Sequence, residues 1–122
     1  MNETVCNILV KALSQYEEYY VNVVRELYFD EDTDDDVILN SKEFKNTLNN
    51  DLSNMCFTDV EIAEIITHNM NENTVFKFLA LFIYLTHDDE TPVDVISIID
   101  NKFGITISED IARKIYCHLI IN

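Results

Sequence analysis

The chain has 122 residues, 48% of them hydrophobic, and a formal charge of −15, which is enough material for one domain with its own core. That charge excludes a nucleic-acid binder, whose phosphate contacts need Lys and Arg surfaces, and it favours positively charged partners over anionic membranes. One Gly and one Pro leave little turn-forming material, so a many-stranded fold is excluded as well. The expected class is all-α: a single domain over residues 1–122, with six to seven helices packed around a buried central one.

In chain order, Val5, Ile8, Leu9, Ala12, Leu13 and Tyr16 recur at helical spacing, with Thr4 as the expected cap. The stripe continues through Tyr20, Val23, Val24, Leu27 and Tyr28, as one long helix or two joined near Gln15 to Glu18. Asp30 to Asp36 is a run of like charges broken only by Thr33, and such a run predicts a solvated loop. Asn40 or Ser41 opens the next helix, Glu43 fits a capping box with Asn40, and the apolar face is Phe44, Leu48, Leu52 and Met55. Thr58 and Glu61 form a second capping box, flanked by a Phe57–Ile62 hydrophobic staple, with Ala63, Ile65, Ile66 and Met70 completing the buried face.

The densest apolar run follows. Thr74 to Thr86 carries Val75, Phe76, Phe78, Leu79, Ala80, Leu81, Phe82, Ile83 and Leu85, interrupted by Lys77 and Tyr84. A helix apolar nearly all round belongs in the middle of a domain, and this one falls short of the about 20 residues a membrane span needs. Thr91 and Pro92 cap a helix with Val95, Ile96, Ile98, Ile99 and Phe103, closed by Gly104. Ser108 caps the last helix, whose inner face is Ile111, Ala112, Ile115, Tyr116, Leu119 and Ile120.

Catalytic patterns are missing, and a non-enzyme is expected. His68, His87 and His118 lie on different segments without metal-ligand spacing, and no nucleophile elbow or glycine-rich phosphate loop occurs. Cys6, Cys56 and Cys117 form neither a disulfide framework nor a zinc motif, and their apolar neighbours predict reduced, buried thiols. The N-terminus has no basic stretch or small-residue cleavage site, which points to a reducing intracellular compartment.

Two resemblances add to this reading. Asp32 to Phe44 resembles a calcium-binding EF-hand loop, with Asp32, Asp34, Asp36 and Glu43 at positions one, three, five and twelve. Position six departs from the family: Val37 stands where Gly normally makes a turn of positive φ, and no second loop accompanies the first. Calcium is therefore the alternative to a reading with no cofactor and no metal.

The whole-chain order of helices around one hub resembles the Bcl-2 family of apoptosis regulators, particularly its small viral members. ETVCNILVKALSQY is similar to the family's first helix, and VVRELYFDED is loosely similar to the second. FKNTL through IAEIITHNMNENTVFKFLALFIYL resembles the third to fifth in spacing, and SEDIARKIYCHL stands in place of the C-terminal motif. The family's hub opens Asn-Trp-Gly-Arg; Thr74-Val75-Phe76-Lys77 keeps only the basic fourth position. The abundance of Asn, Ile, Asp and Tyr fits the coding bias of an AT-rich genome, as in some large DNA viruses.

The resemblance implies an inhibitor of apoptosis that sequesters the Bcl-2 homology region 3 helix of pro-apoptotic host proteins in a surface groove. It places Phe44, Leu48, Leu52, Glu61, Glu64, Lys77 and Leu81 in that groove, Lys77 meeting an Asp of the ligand. It also implies, as the alternative, a homodimeric relative that modulates innate immune signalling. The expected location is the host cytoplasm, at mitochondria only through partners, since no membrane anchor follows Asn122.

Overall fold

The computed structural model describes residues 2–87 and 93–121, leaving aside the side chains of the last two. The described residues form seven α-helices and no strand: α1 (Glu3–Tyr28), α2 (Asp35–Leu39), α3 (Lys42–Asn54), α4 (Asp59–Ile66), α5 (Glu72–Thr86), α6 (Val95–Phe103) and α7 (Glu109–Ile121). The all-α expectation holds. None of the described helices is long and apolar enough to cross a membrane.

The helices begin where short polar side chains can accept orphaned backbone N–H groups. Ser41 accepts from Phe44 N at 3.2 Å, Asn71 from Thr74 N at 3.0 Å and Ser108 from Ile111 N at 3.3 Å. The capping box at α4 forms as read: Thr58 N donates to Glu61 Oε1 at 2.9 Å, and Glu61 N to Thr58 Oγ1 at 3.2 Å. Some details of these and the remaining starts differ from expectation. Asn2, not Thr4, caps α1, its side chain accepting from Thr4 N at 2.7 Å. Asn40 forms no capping box with Glu43, because its amide turns back to donate to Asp36 O at 2.8 Å. The hub begins earlier than Thr74, because Asn71 rather than a later residue caps it. The Thr91–Pro92 cap lies outside the described residues, and α6 starts at Val95 with Asp94 capping Ser97 N at 3.3 Å.

Three helices end on residues in the left-handed region. Gly104 (φ 67°) closes α6 as read, its N–H donating to Asp100 O at 2.8 Å. After α3 the position falls on Cys56 (φ 68°), where Cys56 N donates to Ser53 O and Phe57 N to Leu52 O, both at 3.1 Å. After α4 it falls on His68 (φ 60°), with His68 N to Ile65 O at 3.2 Å and Asn69 N to Glu64 O at 2.9 Å. Both pairs are the Schellman arrangement made without glycine, at a steric cost of about 1–2 kcal/mol each.

The chain divides into two compact units, residues 1–13 with 71–122, and residues 14–70. In the first, α5 packs most extensively on α7, and α6 also packs on α7. Phe82 of α5 meets Phe103 of α6 with ring centroids 5.8 Å apart, and Lys11 Nζ donates to Phe103 O at 3.3 Å. From Thr74 to Ile83 every residue of α5 is buried except Lys77, which is half-buried. The apolar run therefore is a buried helix, as read, but it surfaces at its end, where Tyr84 and Leu85 are exposed.

In the second unit, the remainder of α1 is tied to each later helix by a polar side chain. Tyr20 OH donates to Asp51 Oδ2 of α3 at 2.6 Å, and Glu17 Oε1 lies 2.5 Å from His68 Nε2 at the end of α4. Arg25 reaches forward to Thr33 O at 3.1 Å and pairs with Asp35 at the start of α2. The acidic run is thus only partly a loop: Asp35 and Asp36 form the first turn of α2, where carboxylates favour the helix dipole. α1 itself is one unbroken helix, which decides between the two alternatives left open at Gln15 to Glu18.

Several apolar residues do not reach the core. Leu27, Tyr28 and Tyr116 are exposed, contrary to the stripes they continue in sequence. The cysteines also depart from expectation, since Cys6 is half-buried while Cys56 and Cys117 are exposed. Cys56 is outside because it sits on the turn that ends α3. Cys117 is two positions past the fully buried Ile115 and so faces away from it on the helix.

Candidate functional site

The residues assigned to a groove fall into both units, and each group is placed within its own. In the second unit Phe44, Leu48 and Leu52 are 5%, 3% and 0% exposed, so this face of α3 is core. Glu61 is half-buried and engaged in the α4 capping box, while Glu64 is half-buried on the same helix. In the first unit Leu81 is buried and Lys77 is half-buried on α5.

The EF-hand-like segment adopts a different local structure from a calcium loop. Its positions four to eight are α2, and Val37 is helical; among described residues other than glycine, positive φ occurs at Cys56 and His68 alone. Val37 therefore does not take the positive φ that glycine supplies at position six. Among the described residues no group of three or more His, Cys, Asp or Glu is placed to hold a metal.

Two surface clefts are found among the described residues of the first unit. One, of about 410 Å³, opens between the start of α5 and α7 and is lined by Glu72, Asn73, Phe76, Lys114, Cys117 and His118. Lys114 Nζ lies 3.6 Å from both Glu72 and Asp110 and 5.7 Å from the centre of the Phe76 ring. This is a half-exposed ion-pair and cation–π cluster, of small energetic consequence at the surface. Cys117 and His118 are adjacent on one helix, about 100° apart around its axis, so they do not face each other as nucleophile and base. The other cleft, of about 370 Å³, lies between the start of α6 and α7, with Val93, Ile96, Ala112, Arg113 and Tyr116 in its walls. Asp94 at its edge is held below the usual carboxylate range by hydrogen bonds from the hydroxyl and backbone N–H of Ser97.

The second unit holds two strongly perturbed ionisable groups, Tyr16 and Tyr20. Burial pushes the Tyr16 hydroxyl up to about 12. Burial also raises Tyr20, helped by its hydrogen bond to Asp51, which is stronger while the phenol keeps its proton. The two rings meet edge to face with centroids 4.9 Å apart. Neutral phenols locked into a helix interface provide packing and a hydrogen bond, and they offer no base or nucleophile near neutral pH.

Sequence reasoning missed Arg25, Glu17 and Lys114 as organising residues. The Asp110–Lys114 pair was readable from its i,i+4 spacing, whereas the bonds of Arg25 and Glu17 depend on where later helices fold back. The chain matches no protein-family model, curated protein or solved structure.

Proposed function

We propose that this protein acts without catalysis, as a small viral Bcl-2-like inhibitor of apoptosis that sequesters the Bcl-2 homology region 3 helix of pro-apoptotic host proteins. The observation that carries this reading is Lys77, the one residue from Thr74 to Ile83 of the hub helix that is not buried. A cation near the head of the buried stretch of this helix fits the family's basic hub position, which meets an Asp of the ligand. The surrounding charge of −15 suits ligands with basic flanks. The proposed location is the host cytoplasm, reaching mitochondria through the bound partner.

Calorimetric titration with a panel of pro-apoptotic helix peptides tests this. Submicromolar binding to at least one peptide is expected, and Lys77→Glu is expected to weaken it by about 1–3 kcal/mol. Silence across the panel rejects helix capture. Unchanged affinity in the variant rejects the role of Lys77.

A second reading has its own observation. Phe44, Leu48, Leu52 and Leu81, the apolar residues assigned to the groove, are buried in the free chain, so they present no apolar wall to a ligand as they stand. This favours a protein of the same class that modulates innate immune signalling through its outer surfaces. Recovery of signalling adaptors, and of no pro-apoptotic protein, in a pull-down distinguishes it.

A further inference from the structure

The last turn of α1 presents a docking surface that the groove reading does not use. Val24 is completely buried, and Leu27 and Tyr28 follow it at i+3 and i+4, on the same face of the helix. Yet Leu27 is 64% and Tyr28 60% exposed. The core-facing stripe of α1 thus continues past the residues that cover it, and among the described residues nothing covers the face of its last turn. Arg25 holds this end against the following segment through Thr33 O and Asp35, the first residue of α2.

The charge around these side chains says what would cover them. Glu26, Asp30, Glu31, Asp32, Asp34, Asp35 and Asp36 lie between Arg25 and Lys42 with no Lys or Arg among them. All seven are exposed, and Arg25 neutralises one, Asp35. A second copy of the chain would bring the same carboxylates against them, and a membrane or nucleic acid would bring further negative charge. What fits is a polypeptide segment with apolar residues on one face and Lys or Arg on its borders.

We propose that the end of α1 and the adjoining α2 form a docking surface for a basic amphipathic segment of another protein, with Leu27 and Tyr28 as the apolar contacts and the 30–36 carboxylates as the rim. The apolar pair supplies affinity by desolvation. The carboxylates supply orientation and a fast, salt-sensitive encounter. Because no residue of the proposed groove takes part, this surface stands or falls independently of helix capture.

The test uses the full chain and a fluorescent amphipathic helix made of Leu and Lys, read by anisotropy. A peptide of equal charge made of Lys, Gly and Ser is the control. Four chains are compared: the parent, Leu27→Ser with Tyr28→Ser, Asp32→Asn with Asp34→Asn and Asp36→Asn, and Glu18→Gln with Asp100→Asn and Asp110→Asn. All substituted positions are exposed, and circular dichroism verifies that each variant keeps its helices. The expected result is at least tenfold weaker binding for each of the first two variants, and less than a twofold change for the third. The control peptide is expected to bind at least tenfold more weakly than the amphipathic one. Equal loss in all three variants, no loss in any, or equal binding of the two peptides overturns the proposal, because each means charge attraction without a defined surface. Self-association of the parent that Leu27→Ser with Tyr28→Ser abolishes assigns the face to a second copy instead and likewise overturns it.

Discussion

Helix α5 and the last turn of α1 are both apolar at helical spacing, and the fold treats them oppositely. Phe78 in α5 is completely buried, whereas Tyr28 keeps more than half its surface in water. Burial of a stripe depends on what later chain returns to cover it. α5 is met by α6 and α7 within its unit, while the chain leaving α1 runs into a carboxylate-rich segment whose charged side chains leave Leu27 and Tyr28 exposed. The comparison teaches that hydrophobic periodicity marks what a helix can bury, and that the unburied part is the place to look for partners.

Replacing matched residues in the two regions should separate them most. Phe78→Ala is expected to cost about 3–5 kcal/mol in urea unfolding, from lost transfer energy and the cavity left behind. Tyr28→Ala is expected to stay within about 0.5 kcal/mol of the parent. Equal costs would mean that the α1 end is structural core and would break the contrast.

A second test uses the buried phenols in the middle of α1. The Tyr16 hydroxyl is raised from an ordinary 10.0 to about 12 when folded, so the unfolded chain releases this proton first as pH rises. The stabilisation is complete below pH 10 and is lost as pH climbs through about 12, an effect on the order of 2 kcal/mol. Stability measured against pH should fall above 10, and less steeply in Tyr16→Phe. An identical alkaline limb in the variant would show that Tyr16 is not held in a dry interface.

Smaller effects sharpen the picture at the helix ends. Thr58→Ala removes the α4 cap and is expected to cost about 1 kcal/mol, checked by the denaturant midpoint at unchanged slope. His68→Gly is expected to raise stability by roughly 0.5 kcal/mol, since relief of left-handed strain outweighs the added freedom of the unfolded chain. The Glu17–His68 contact is lost in that variant, and a lowered midpoint would show that this contact outweighs the strain. Asp94 gives a pH signature of the opposite sign from Tyr16. Its carboxyl titrates lower in the folded state, so the stabilisation it brings to α6 is present above its unfolded pKa and disappears on acidification through the folded one. Asp94→Asn should flatten the acid limb of the stability profile.

Six of the seven helices and the hub were legible because their signals are local: a capping oxygen, a 3.6-residue period, an apolar run with few polar breaks; α2 was not, since Asp35 and Asp36 read as part of a charged loop. The Thr58–Glu61 box, Gly104 and the buried run from Val75 to Ile83 follow from residues within one turn or one helix of each other. The candidate site was less legible. Phe44, Leu48 and Leu52 have the pattern of an apolar face, which reads the same whether it lines a groove or fills a core. Val37 carried the one local warning against a calcium loop, because a β-branched residue resists the positive φ that such a loop needs at that position, and the segment coils into α2 instead.

The all-α class, the acidity and the approximate extent of six helices were thus determined by the sequence itself, since periodicity and charge depend on neighbouring residues and on composition. Which parts of the apolar stripes are covered was decided only by tertiary structure. Exposure of Leu27, Tyr28, Cys56 and Tyr116, and the reach of Arg25 and Glu17 across the second unit, depend on where distant segments come to rest. A short-range pattern carries no record of that return, because the same spacing satisfies a helix whether its apolar face meets other helices or water.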